Sequence, residues 1–154
     1  MKLTVNVQYA AGTDDLPRIK EIRSWIQAAL QGRRRKAVLC VRIVDEEEGR
    51  RLNTQWRKRK AATNVLSFPY DGVDGIAPEV LGDIVICAPV VMREAEQQNK
   101  KPAAHWAHMV VHGTLHLIGL DHLEETDAQE MERLEAAILA KLGYPDPYKP
   151  AHDS

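Results

Sequence analysis

The chain has 154 residues, of which 44% are hydrophobic and 28% are charged, and its net charge is −1 at pH 7. This composition suits one folded domain with a buried core and excludes a disordered or fibrous protein. No apolar run has the length of a membrane span, and the N-terminus MKLTVNVQYA lacks the apolar stretch of a signal peptide, so we expect a cytoplasmic protein with no membrane partner.

In chain order, the first half of the sequence predicts two strand–helix pairs. Residues 3–8 alternate between apolar and polar side chains, as in a strand, and residues 15–31 carry apolar side chains at helical spacing. Residues 37–44 are almost continuously apolar, which predicts a strand buried on both faces. Residues 45–56 follow as a predicted helix.

The second half predicts two further strands, at 64–68 and from 83 onward. Proline and glycine then indicate where helices begin and end. Three helices are predicted, from Pro89 to about Lys101, from Pro102 to Gly119, and from Thr126 or Asp127 onward. Strands mixed with helices predict an α+β fold, with a small and largely mixed sheet packed against helices. We expect a single domain over residues 1–154, with a loose tail at 145–154.

The stretch HGTLHLIGLDH, residues 112–122, has the spacing of a metal site. His112 and His116 are four residues apart, so a helix presents both imidazoles on one face. Gly119 can adopt the left-handed conformation that turns the chain back and brings His122 to the same ion. Three histidine ligands leave one position open, as in catalytic zinc sites. Zinc is therefore the expected ion, with nickel or another divalent metal as the alternative.

The same histidines could be ordinary polar residues of an amphipathic helix, but three at this spacing around a glycine favour metal binding. His108 lies four residues before His112 and could compete as a ligand. We expect His108 to pack, or to orient a ligand, because no partner follows it after a turn.

The residue after the first histidine is Gly113, where zinc proteases of similar spacing have a glutamate that acts as the base. Peptide hydrolysis would need a base from elsewhere, whereas phosphodiester cleavage can use a metal that polarises the phosphate or activates water. An arginine could hold that phosphate with two parallel hydrogen bonds, and Arg57 is the candidate. The adjacent Lys58, Arg59 and Lys60 could also bind substrate, or could form a solvated loop.

The charges are unevenly distributed along the chain. Residues 33–60 carry eleven Lys and Arg against four acidic residues, whereas residues 121–154 carry nine acidic residues against three basic ones. Such a basic segment can attract a polyanion, although the same residues could simply keep helices and loops solvated.

These motifs resemble the YbeY family of bacterial endoribonucleases. HGTLHLIGLDH is similar to the family's H-G-x-L-H-L-x-G-x-D-H signature, and LNTQWRKRKAATNVLSFPYD resembles its central block. LGDIVIC resembles the strand that follows that block, and MERLEAAILAKLGYPDPY resembles the closing helix. The resemblance covers most of the chain from about residue 40. Two departures, Lys60-Ala61-Ala62 before Thr63 and Leu120 before the Asp-His pair, change no ligand.

The resemblance implies a metal-dependent, single-strand-specific endoribonuclease that acts in ribosomal RNA maturation, at the 3′ end of the small-subunit RNA, and in ribosome quality control. It implies zinc bound by His112, His116 and His122, with His112, His116 and Arg57 in catalysis. Expected partners are single-stranded ribosomal RNA and ribosomal proteins or a ribosome-associated GTPase. Two alternatives stay open: a non-catalytic ribosome-assembly or RNA-binding factor with a structural metal, and a metalloprotease.

Overall fold

A mixed β-sheet forms the centre of the fold. The computed structural model describes residues 1–12, 14–57, 63–70, 78–120 and 125–149. Within these residues the strands are β1 (Lys2–Tyr9), β2 (Lys36–Val44), β3 (Val65–Pro69) and β4 (Val80–Cys87). Their order in the sheet is β1-β2-β4-β3; β1, β2 and β4 are parallel, and β3 pairs antiparallel with β4. The predicted α+β class with a small mixed sheet is confirmed, and β3 is an edge strand.

Helices cover the two faces of the sheet unequally. Over the same residues they are α1 (Ile19–Leu30), α2 (Glu46–Arg57), α3 (Ala88–Gln97), α4 (Pro102–Leu117) and α5 (Glu125–Lys141). The larger apolar core joins one face of the sheet to α1, α4 and α5. A smaller cluster on the other face contains Leu66 of β3 and Val85 of β4, with Leu52 of α2 packed against it.

The α4 helix is buried along most of its length. Every residue from His105 to Leu117 is buried except His112 and His116, which are half-buried. A helix that is apolar on nearly all sides belongs in a core, so beyond its exposed first turn α4 reaches solvent at the two histidines. The prediction that Gly119 ends this helix is confirmed, because the helix stops at Leu117 and Gly119 has a φ of +98°.

Three predicted elements differ in detail from the structure. Helix α1 begins at Ile19 rather than at residue 15, because Asp15 has a φ of +62° and the backbone of Arg18 is extended. Strand β2 is fully buried on one face and only partly on the other, which corrects the expectation of two buried faces. Helix α3 ends at Gln97, short of Lys101, because Asn99 adopts a φ of +56° that a right-handed helix excludes.

Candidate metal centre

His112 and His116 form a close pair of imidazoles on the exposed stripe of α4. Their Nε2 atoms are 3.0 Å apart and their ring centroids 4.5 Å apart. The i, i+4 spacing of a helix places the two rings on the same face, as the sequence predicts. Both side chains are partly accessible, so an ion or a substrate can reach them from solvent.

Glu135 of α5 lies on the opposite side of the His112 ring. Its carboxylate is fully buried and is 3.0 Å from Nδ1 of His112, 3.3 Å from Nε2 of His108 and 2.5 Å from the hydroxyl of Tyr148. Burial would raise the pKa of Glu135, but the hydrogen bonds from His108, His112 and Tyr148 lower it to about 2. Glu135 is therefore ionised at neutral pH, and an ionised carboxylate only accepts hydrogen bonds.

This buried carboxylate determines the tautomer of His112. Because Glu135 can only accept, the proton of the neutral His112 ring lies on Nδ1, and Nε2 keeps its lone pair. Two nitrogens on one tetrahedral zinc ion, each about 2.0–2.1 Å from it, lie roughly 3.3 Å apart, close to the 3.0 Å between the paired Nε2 atoms. The pair fits an imidazole-binding divalent ion such as zinc. His122, the third predicted ligand, lies outside the described residues.

A second grouping of side chains could also hold a metal. In the part of the chain that the structure describes, ligand atoms of His108, His112 and Glu135 lie within 4.8 Å of one another. His112 belongs to both groupings, one through each ring nitrogen. A carboxylate that accepts the outer N–H of a metal-binding histidine is a common support for such a ligand, and Glu135 has this position relative to the His112–His116 pair.

Sequence reasoning missed Glu135 and Tyr148. Glu135 lies between the buried Met131 and Ile138 on α5, so it is a single charge in an apolar helical stripe. That is the sequence signal that could have identified it. Tyr148 lies in the segment predicted to be loose. In the structure the hydroxyl of Tyr148 donates to Glu135, and the carbonyl of Pro147 accepts a hydrogen bond of 2.9 Å from Lys100. Residues 150–154 lie outside the described part of the chain.

Gly113 lets α4 lie close to the sheet. A Cβ atom at this position would come within 3.0 Å of Ile84 Cγ2, 3.2 Å of Val65 Cγ2 and 3.3 Å of Ser67 Oγ. The Ser67 hydroxyl also donates to the Gly113 carbonyl at 3.0 Å. Position 113 thus faces β3 and β4 and has no room for a glutamate, which removes the residue that a protease of this histidine spacing would use as its base.

Arg57 is the last residue of α2, and its neighbour Trp56 contacts β3. The rings of Trp56 and Phe68 pack edge to face, with centroids 6.0 Å apart. The expectation that the 64–68 strand passes near the histidine helix is confirmed, because Ser67 of β3 contacts Gly113. The other predicted substrate-binding residues, Lys58, Arg59 and Lys60, lie outside the described residues.

The fold and the site define an α+β protein with a histidine-based candidate metal centre. Among the helices that can be described, none combines the length and apolarity needed to span a bilayer. The family model described as "Endoribonuclease YbeY" matches residues 8–143. The chain belongs to the YbeY endoribonuclease family, which confirms the predicted class of enzyme.

Curated relatives match along almost the whole chain. The endoribonuclease YbeY of Nitrosococcus oceani is 48% identical over 151 residues, which cover 97% of this chain and 99% of that protein. That of Stutzerimonas stutzeri is 52% identical and covers 94% of this chain and 89% of the relative. That of Xanthomonas axonopodis pv. citri is 51% identical and covers 99% of this chain and 97% of the relative. The solution structure of TM1509 from Thermotoga maritima has a TM-score of 0.58 at 21% identity, and it covers 93% of this chain and 99% of that one. At that identity the likeness supports the fold alone.

Proposed function

We propose that this protein is a zinc-dependent endoribonuclease that cleaves single-stranded RNA. The proposal rests on the His112–His116 pair, whose Nε2 atoms are 3.0 Å apart on a largely buried helix. The chain that carries this pair belongs to the YbeY family. The ring of His112 is held in the required tautomer by Glu135. RNA as the substrate class follows from the family, and single-strand specificity and the identity of the ion are parts of this proposal.

Each residue of the proposed site has a distinct task. His112, His116 and His122 hold the ion, which when bound supplies Lewis-acid polarisation of a phosphoryl oxygen. Glu135 fixes the proton of His112 on Nδ1. Arg57 holds the scissile phosphate with a bidentate pair of hydrogen bonds. Lys58, Arg59 and Lys60 contact the neighbouring phosphates of the RNA backbone.

The cellular role we propose is ribosomal RNA processing in the cytoplasm, at the 3′ end of the small-subunit RNA, with a part in ribosome quality control. It is supported by membership of the YbeY family and by the dense positive charge of residues 33–60. Ribosomal proteins or a ribosome-associated GTPase would bring the enzyme to its substrate.

The test follows cleavage of an end-labelled single-stranded RNA by the wild-type protein and by His116→Ala, after both are shown to be folded. Each protein is assayed as purified, after metal removal by a chelator, and after zinc is returned. His152→Ala, which changes a histidine outside the HGTLHLIGLDH motif, is the matched control. The same RNA annealed to its complement tests the preference for single strands.

The expected result is cleavage by the zinc-loaded wild type and by His152→Ala, and none by His116→Ala or by the metal-free protein. Equal cleavage by wild type and His116→Ala would show that the histidine pair is not the active site. RNA binding without cleavage by any zinc-loaded form would instead support the non-catalytic assembly factor.

A further inference from the structure

Trp56 is exposed in a protein whose other tryptophans are buried. Its relative exposure is 61%, whereas that of Trp25 and Trp106 is 2% each. A large aromatic side chain gains free energy from burial, so an indole with most of its surface in solvent is a candidate contact for another molecule. Trp56 is fixed at one edge by its contact with Phe68, which itself packs on the smaller apolar cluster.

Trp56 lies at the edge of the sheet, next to β3 and across it from α4. Side chains alternate along a strand, so Ser67 faces Gly113 of α4, whereas Leu66 and Phe68 face the other side with α2. β3 is an edge strand, and no further described strand lies beyond it in the sheet.

The exposed indole and the histidine pair lie toward the same end of β3. The Glu94 carboxylate forms hydrogen bonds with His105, near the start of α4, and with Asn64, just before β3. Further along, Gly113 is beside the middle of β3. Helix α4 therefore runs along β3 in the direction of Phe68, and His116, about one turn beyond Gly113, lies toward that end.

Along the sequence, the segment on either side of Trp56 carries only positive charge. Residues 50–60, RRLNTQWRKRK, contain six Lys and Arg and no acidic residue. At the opposite end of α2, Glu46 and Glu48 form ion pairs with Arg93 and Arg42. A phosphate backbone would therefore be attracted to the Trp56 end of the helix, and an exposed aromatic among basic residues suits single-stranded nucleic acid.

We propose that Trp56, supported by Phe68, is a stacking surface for a base of the single-stranded RNA held at the metal centre. This inference rests on the proposed function and specifies how that substrate is bound. A base in a duplex is stacked on its own neighbours and does not present its face, whereas a base in a single strand does. Stacking on Trp56 thus gives a physical reason for a preference for single strands, with little preference for sequence.

The first test uses intrinsic fluorescence, because Trp56 is the exposed tryptophan of the three. Short oligoadenosine and oligouridine are titrated into the full-length protein, and inorganic polyphosphate serves as a probe with phosphates and no bases. We expect both oligonucleotides to quench the solvent-accessible part of the emission and to shield it from acrylamide. We expect polyphosphate to bind without either effect. Quenching by polyphosphate equal to that by RNA would overturn the proposal.

The second test measures binding of the same oligonucleotides to Trp56→Leu and to Tyr9→Leu. The leucine at position 56 keeps an apolar cover over Phe68 but lacks an aromatic face. Tyr9 is also an exposed aromatic residue, 44% accessible, but it belongs to β1 at the other edge of the sheet. We expect binding to Trp56→Leu to be roughly 5- to 150-fold weaker and binding to Tyr9→Leu to be unchanged. Thermal unfolding of each variant provides the check on folding.

The salt dependence separates stacking from charge. Trp56→Leu should lower RNA affinity at every salt concentration and leave the slope of log affinity against log salt concentration unchanged. Arg57→Ala should instead reduce that slope by the amount expected for about one phosphate contact. If Trp56→Leu binds and cuts single-stranded RNA as the wild type does, the stacking surface is wrong and the nuclease assignment stands. If the zinc-loaded wild type neither binds nor cuts RNA, the proposed function fails, and this inference fails with it.

Discussion

Nδ1 of His112 lies 3.0 Å from a carboxylate oxygen of Glu135, and this contact selects the nitrogen that would face a metal ion. The ring has two nitrogens of similar basicity, and without a partner either could carry the proton. The buried carboxylate removes that choice and leaves Nε2, which is turned toward His116, as the ligand atom. Helix α5 is in this way part of the candidate metal centre although it supplies none of the predicted ligands.

Replacement of Glu135 by glutamine should weaken zinc binding. A glutamine amide has donors of its own, and it would place them among the donors of His108, His112 and Tyr148. We expect zinc affinity, measured by competition with a chromophoric chelator, to fall roughly 10- to 100-fold. The matched control is Glu130→Gln, an exposed position on the same helix, which should bind zinc as the wild type does. Unchanged affinity in Glu135→Gln would show that the carboxylate does not orient the ligand.

Removal of the Tyr148 hydroxyl should destabilise the protein. Burial and the nearby Glu135 carboxylate raise the pKa of Tyr148, so the hydroxyl stays protonated and donates to Glu135. Tyr148→Phe takes a hydrogen bond from a buried charge, which should lower the free energy of unfolding by roughly 1.5–3 kcal/mol. Tyr144→Phe in the same segment is the control for chemical denaturation. Equal stability of the two variants would mean that the tail does not support the site.

Substitution of Gly113 by alanine tests the close approach of α4 to the sheet. Alanine favours a helix by about 1 kcal/mol over glycine, but its Cβ would meet Ile84 and Val65 at 3.0 and 3.2 Å. Overpacking of this kind costs about 1–3 kcal/mol, so we expect a net loss of stability of about 1 kcal/mol in urea unfolding. Gly12→Ala, where a Cβ has nothing within 4 Å, should show no loss. A Gly113→Ala variant more stable than the wild type would contradict the packing.

Arg57 should be required for cleavage and not for metal binding. Arg57→Ala removes the proposed phosphate contact and should lower kcat/KM roughly 100-fold or more, with zinc affinity unchanged. Arg57→Lys keeps the charge without the planar fork and should recover only part of the rate. Arg23→Ala, on the exposed face of α1, is the control for a loss of positive charge. Wild-type rates in Arg57→Ala would remove this residue from the mechanism.

The ion pair between Arg42 and Glu48 should make a small, pH-dependent contribution to stability. Hydrogen bonds of 2.6 and 2.9 Å from Arg42 lower the pKa of Glu48. A carboxyl with a lowered pKa stabilises the fold above its unfolded pKa of about 4.3, and that contribution disappears as the pH falls through the folded value.

At pH 7 we therefore expect Glu48→Gln to be less stable than the wild type by at most about 1 kcal/mol, because both partners are partly exposed. The difference should begin to shrink as the pH falls below about 4.3, and it should close as the pH falls through the lowered pKa of Glu48, where the wild-type carboxyl becomes neutral as well. Glu47→Gln, in the same turn of α2 and exposed, is the control for the loss of one negative charge near the start of the helix. Urea unfolding at a series of pH values from 7 downward measures both variants. A Glu48→Gln difference that stays constant as the pH falls below about 4.3 would rule out this origin.

The sequence patterns predicted the sheet and the histidine helix because both depend on short-range signals. The apolar runs of β2 and β4, the proline that begins α4 and the glycine that follows it all act on neighbouring residues. Element ends were less predictable. Asp15 and Asn99 take positive φ values for which the local pattern offers no strong signal, and each shortens a helix.

The sequence predicts the His112–His116 pair but not Glu135 and Tyr148, which form the hydrogen bonds behind His112. His112 and His116 are one helical turn apart, so their spacing alone brings them together. Glu135 and Tyr148 come from other parts of the chain, and only the packing of α4 against α5 brings them to His112. The tight contact at Gly113 likewise depends on β3 and β4, which lie far from it in sequence.

The position of the site along the chain has a consequence for protein synthesis. The four strands of the described part of the chain lie within residues 2–87, before the histidine helix, and Tyr148 follows His112 by 36 residues. At about 5–20 residues per second, translation separates these two residues by roughly 2–7 s. During that interval the described strands and the histidine helix have been synthesised, whereas Tyr148 has not. The hydrogen bonds that Glu135 makes with His112 and Tyr148 can therefore form only after synthesis of the chain is nearly complete.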